Sequence, residues 1–176
     1  MARKRFSLAI GLATAAALSL SMPGWAVDLR PAWVEVKWPF LLDQWGVGRA
    51  FRCRAADCGI DIDIFLRAKI GFCNCETGVA DDEEVDRVAD VDLLSNRYSP
   101  LATGRPATIG GMNGRSRAYD VEQRVALAVA VANKCDVVVA TVVSARELPV
   151  ATERAVLEFL NGSIVLSWAK ASLGLS

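Results

Sequence analysis

The stretch from Arg124 to Ser144 limits the possible folds more than any other. Val125, Leu127, Val129 and Val131 alternate with Ala126, Ala128, Ala130 and Ala132, and a largely β-branched run from Val137 to Val143 follows. Alternation with a period of two reads as a strand. Here it gives one bulky face and one uniformly small face, against which a helix can pack closely. The second run is apolar on both faces, as expected of a strand buried on both sides. Asn133-Lys134-Cys135-Asp136 supplies the turn between them, placing Cys135 near a hairpin tip. Alanine also favours helix, so a helical reading of the first half stays open.

The other organising stretch, Phe51 to Asp86, holds four of the five cysteines, spaced Cys53-x4-Cys58-x14-Cys73-x-Cys75. Between the pairs, Ile60, Ile62, Ile64 and Leu66 alternate with Asp61, Asp63, Phe65 and Arg67, the pattern of a half-buried strand with its isoleucines in the core. Ile70 and Phe72 suggest a second short strand. On it Cys73 and Cys75 would share a face about 6.5 Å apart, which disfavours a direct bond between them.

The N-terminus reads as an export signal. Arg3, Lys4 and Arg5 precede an apolar run from Phe6 to Leu20, and Gly24-Trp25-Ala26 forms a small-x-small cleavage site. The run is short for a membrane span. Lys4 interrupts what would be a twin-arginine signal, and no cysteine follows the cleavage site to carry a lipid. The expected organisation is a signal peptide over residues 1–26 and one globular domain over 27–176, located in the periplasm or secreted. Beyond the signal, Val125 to Val143 has the longest apolar character, but Asn133, Lys134 and Asp136 break it, so no transmembrane anchor is expected. Without the signal, seventeen basic and twenty acidic residues remain, a net charge of −3. A weakly acidic chain with no basic tract is a poor nucleic-acid binder.

Export favours disulfides over metal thiolates. One reading cross-links Cys53 and Cys58 with Cys73 and Cys75, leaving Cys135 as the free thiol. A Cys58–Cys73 bond would close a loop of about 15 residues and contribute about 3 kcal/mol. The competing reading has Cys73 and Cys75, with Cys53 or Cys58, holding a soft ion such as Cu(I) or Zn2+. The chain contains no histidine, so the commonest general base and the commonest metal ligand are both missing.

Between and beyond these stretches the pattern is mixed. Trp33 to Trp38 reads as a strand ended by Pro39, followed by a turn over Asp43 to Gly48 and a strand from Ala50 to Arg54. Three tryptophans within 13 residues fit core and edge packing better than a stacking platform. Asp81 and Glu84 fit a capping box. It opens a helix whose Val85, Val88, Val91 and Leu94 share a face, with Asp86, Arg87 and Asp90 turned outward. The acidic residues there lack the spacing of a calcium loop and suit the positive end of a helix. Asn96 to Tyr119 is rich in glycine and proline; Arg115 and Arg117 beside Gly110-Gly111 form an anion-binding candidate. Pro149 opens a helix that Asn161-Gly162 stops. Ile164 to Leu173 suits either a last strand or a short helix, with Trp168 closing the core.

These elements describe an α+β fold: a mainly antiparallel sheet with two or three helices packed on it and a cysteine-stapled hairpin. In element order the chain resembles PsbP/Mog1-like domains, which are also sheets flanked by helices. The resemblance implies architecture alone, and no residue takes a role from it.

No motif for a nucleophile, redox pair, haem or cofactor occurs, and no catalytic residue is assigned. The expected function is a structural or binding role in the cell envelope, toward an unspecified envelope partner or small ligand. The oligomeric state is left open. One rival is a thiol- or metal-handling protein using Cys73 and Cys75. The other is a hydrolase using Asp61 and Asp63, which share the polar face of a strand and require a concave pocket.

Overall fold

The computed structural model describes residues 31–175, so the expected signal peptide lies outside the described residues. An antiparallel sheet of eight strands forms the centre of the fold: β1 (Val34–Val36), β2 (Arg49–Cys53), β3 (Ile62–Lys69), β4 (Tyr98–Pro100), β5 (Arg105–Ile109), β6 (Met112–Val121), β7 (Arg124–Asn133) and β8 (Asp136–Ser144). The order across the sheet is β1-β2-β3-β8-β7-β6-β4, and β5 shares the outer edge of β6 with β4. Among the described residues four α-helices complete it: α1 (Ala55–Cys58), α2 (Asp82–Val88), α3 (Val150–Leu160) and α4 (Ser163–Ser172). The class is α+β.

The Ala/Val stretch forms the central hairpin β7–β8, and its helical alternative is not adopted. Lys134 takes a left-handed backbone conformation at the turn, with φ of 57°. Leu127, Val129 and Val131 face one side with Ile62, Ile64, Leu66, Val138, Ala140 and Val142, and α3 and α4 cover them with Val156, Leu160, Val165 and Ala169. The expected strand alternation from Ile60 to Leu66 thus holds. The C-terminal segment is helical, and Gly162, in an extended conformation, is the N-cap that separates α4 from α3.

The small face of β7 does what its alanines permit. Ala126, Ala128 and Ala130 lie under Val85 and Val88 of α2, with Val137, Val139 and Tyr119 completing this second layer. Asp81 caps α2 by accepting from the Glu84 N–H at 2.8 Å. The box is half of the expected one, since the Glu84 carboxylate turns instead to the Asn74 N–H and to Arg87. After α2 a single 3-10 turn over Val91–Leu93 carries the apolar stripe on.

Two expectations need correction here. No second strand follows β3: Gly71, at φ of 68°, turns the chain out of the sheet, and Ile70 is left exposed. Asp90 does not face solvent. It is buried just after the end of α2, where Arg67 and Lys69 of β3 reach it from the sheet.

Candidate binding groove

The α2 face of the sheet is covered unevenly. α2 lies across β6 and β7, and Trp38 and Phe40 pack edge-on against Phe65 of β3. Between these covers the ends of β3, β8 and β7 stay open. The opening comprises two adjoining depressions, of about 560 and 350 Å³, which share Asp63 and Arg124. Ile60, Val143 and Arg146 line the first; Val36, Lys37, Phe40, Phe65 and Leu94 line the second. The lining combines apolar residues with four cations, Lys37, Arg52, Arg124 and Arg146, against the two carboxylates Asp61 and Asp63.

The carboxylates of the groove are already engaged. Arg52 and Asp63 are opposite neighbours on β2 and β3, and the guanidinium donates to both oxygens of Asp63, at 2.5 and 3.0 Å. Asp61 accepts from the Ala55 N–H at 3.0 Å, tying down the start of α1. The Cys53–Cys58 bond and Gly59 in a left-handed conformation close that one-turn helix onto the end of β2. The expected hydrolase pair therefore does line a concave surface, but both members hold structure together instead of facing a substrate unpartnered.

The cations are less engaged. Among the described residues Arg124 makes one long hydrogen bond, to the Leu94 carbonyl at 3.5 Å. Arg124, Arg146 and Lys37 have no carboxylate partner among the described residues, and all three are exposed.

The other sequence candidates go elsewhere. Cys53 bonds Cys58 and Cys75 bonds Cys135, while Cys73 is a buried free thiol. This corrects the expected pairing of Cys53 and Cys58 with Cys73 and Cys75, and the expectation that Cys135 is unpaired. The reason lies in the sheet register. Lys69 pairs with Val137 at the ends of β3 and β8, so the chain leaving β3 runs beside the hairpin tip that carries Cys135. The metal reading keeps only Cys73 of its ligands, since Cys75, Cys53 and Cys58 are all in disulfides.

Arg115 and Arg117 do not form an open anion site. Both lie under α2, where Asp82 meets Arg115 at 2.6 Å and Asp86 meets Arg117 at 2.5 Å. The Gly104 N–H and Arg115 hold the Asp82 carboxyl below its usual range. Asp86 also accepts from the Tyr119 hydroxyl at 2.6 Å. Burial, followed by that bond to a carboxylate, pushes the Tyr119 phenol well above its usual value. The acidic helix is thus fastened to the sheet by its own charges.

Sequence reasoning missed Arg52, Arg124 and Arg146, because they come from β2, the start of β7 and the loop after β8, apart in the chain. The usable signal was Asp63 on the polar face of a strand, with Arg52 one strand earlier.

No family model, curated protein or solved structure matches the chain. Among the described residues, no helix is long and apolar enough to cross a membrane. The two disulfides are consistent with an extracytoplasmic location.

Proposed function

We propose that the protein is exported, with residues 1–26 removed after Ala26, and acts in the cell envelope by binding an anion that carries an apolar portion. The observation that supports this is the position of Arg124, shared by both depressions and left without a carboxylate partner among the described residues. Arg146 lines the first depression together with Val143, and Lys37 lines the second together with Phe40. A local excess of cations on a chain whose net charge is −3 once residues 1–26 are removed favours an anionic ligand. Phe40, Phe65, Leu94 and Val36 offer a surface for an apolar tail, the usual combination of apolar lining and few polar anchors in small-molecule sites.

Decanoate tests the reading, with inorganic phosphate as a headgroup control and decyltrimethylammonium as a tail control. Calorimetry on the chain purified from the periplasm is expected to show decanoate binding more tightly than either control. Substituting Arg124→Ala should weaken it about tenfold or more, the loss expected for a charge-assisted hydrogen bond. Equal binding of the cationic amphiphile, or no change in the variant, would overturn it.

A further inference from the structure

Three of the five cysteines meet at one end of the central hairpin. Cys75 is bonded to Cys135 at the turn between β7 and β8. Cys73, two residues away, is held against the same turn: its N–H donates to the Cys135 carbonyl at 3.0 Å, and its thiol lies 3.3 Å from the Lys134 carbonyl. Cys135 is therefore the immediate neighbour of both, joined to one by a disulfide and to the other by a backbone hydrogen bond. The two differ in burial, since Cys73 is 7 % exposed whereas Cys75 lies at the surface.

We propose that these residues form a thiol–disulfide exchange centre, in which Cys73 displaces Cys75 from Cys135 and so presents Cys75 as an exposed thiol. In the step, the Cys73 thiolate attacks the Cys135 Sγ. The Cys73–Cys135 bond forms as the Cys75–Cys135 bond breaks, and the electron pair leaves on the Cys75 Sγ. Cys75 takes up from solvent the proton that Cys73 gave to it, so sulfur is neither oxidised nor reduced overall. A chain of sixty residues separates Cys75 from Cys135, and a bridge from Cys73 spans two more. Loop-closure entropy thus barely distinguishes the two pairings, and local packing sets the balance.

The resting form is kept quiet by its surroundings. Burial first, then the carboxylates of Glu84 and Asp136, raise the Cys73 thiol above its usual value, against a smaller opposite effect from Arg87. Lys134 also stands at the turn, but it meets the thiol through its backbone carbonyl. Because the thiolate is the attacking species, exchange is slow at neutral pH and quickens as pH rises.

The test uses the oxidised wild-type chain under native conditions across an alkaline pH series, trapped with N-ethylmaleimide and mapped without reduction. Labelled Cys75 and a Cys73–Cys135 peptide are expected to accumulate together, with Cys53–Cys58 unchanged as internal control. The rate should rise about tenfold per pH unit below the Cys73 value and should not depend on protein concentration. Label on Cys73 alone, an unlabelled chain with Cys75–Cys135 intact, or a rate that grows with concentration would each overturn the proposal. A Cys73→Ser variant should retain Cys75–Cys135 and take up no label. The wild-type map decides independently should that variant fold poorly.

Discussion

Arg67 and Asp90 meet in the interior as a bidentate pair, at 2.9 and 2.5 Å, with each side chain about 5 % exposed or less. Lys69 donates to the same carboxylate at 2.8 Å and to the Val88 carbonyl at 2.7 Å, and Asp43 takes the remaining end of Arg67 at 2.6 Å. Two cations and two carboxylates thus form a locally neutral cluster that joins β3, the end of α2 and the loop before β2. A buried pair contributes little beyond an apolar substitute, but removing one partner strands the other. Asp90→Ala is therefore expected to lower unfolding free energy by about 3–5 kcal/mol, measured by denaturant titration. A triple replacement of Arg67, Lys69 and Asp90 by apolar residues of similar volume should recover much of that loss. If Asp90→Ala costs no more than an exposed substitution, the cluster does not hold these elements together.

The fastening of α2 should fail in acid before the sheet does. The Gly104 N–H and Arg115 lower Asp82 from its usual 3.8, and the hydrogen bond from Arg87 lowers Glu84 from 4.5. Between the folded and usual values the unfolded chain binds more protons than the folded one. The stability these groups contribute is complete above the usual values and is lost as pH falls through the depressed ones. Hydrogen exchange over residues 82–88 is expected to lose protection at a higher pH than exchange over β7 and β8. Equal loss in both would mean that α2 is held by Val85 and Val88 alone.

Tyr119 gives the opposite sign. Burial, then the bond to Asp86, raises its phenol above the usual 10.0. Its contribution is therefore present below that value and is lost as pH rises toward the folded one. In a Tyr98→Phe background Tyr119 is the remaining tyrosine. The absorbance change of tyrosinate should then coincide with alkaline unfolding seen by circular dichroism. Ionisation of the folded protein near pH 10 would show that the Asp86 contact is not maintained.

What the sequence revealed depended on how local the determining physics was. The β7–β8 hairpin was legible because period, β-branching and turn residues agree within 21 residues. The start of α2 was legible from Asp81 and Glu84, a capping pattern that acts over three residues. Asp90 read as a solvated charge, since its partners Arg67 and Lys69 lie more than 20 residues earlier and become neighbours only when the segment after α2 comes to rest against β3. The cysteine pairing was illegible for the same reason: proximity in sequence favoured Cys73, whereas the β3–β8 register delivers Cys135. The groove combines Arg52, Arg124 and Arg146 from separate elements, so no motif announces it.

The two disulfides should differ in worth according to the loops they close. Cys53–Cys58 spans five residues and Cys75–Cys135 spans sixty. Constraint of the unfolded chain predicts about 2 kcal/mol for the first and about 4 kcal/mol for the second. The long-range bond also ties the loop after β3 to the hairpin tip, whereas the short one fixes only α1 at the rim of the groove. Replacing Cys75 and Cys135 together by alanine is therefore expected to shift the denaturant midpoint roughly twice as far as reducing Cys53–Cys58 does. The comparison is cleaner by selective reduction than by substitution, because Cys53 is fully buried and its replacement also removes packing. A larger loss from the short bond would mean that α1 and the end of β2 support the core beyond their own loop.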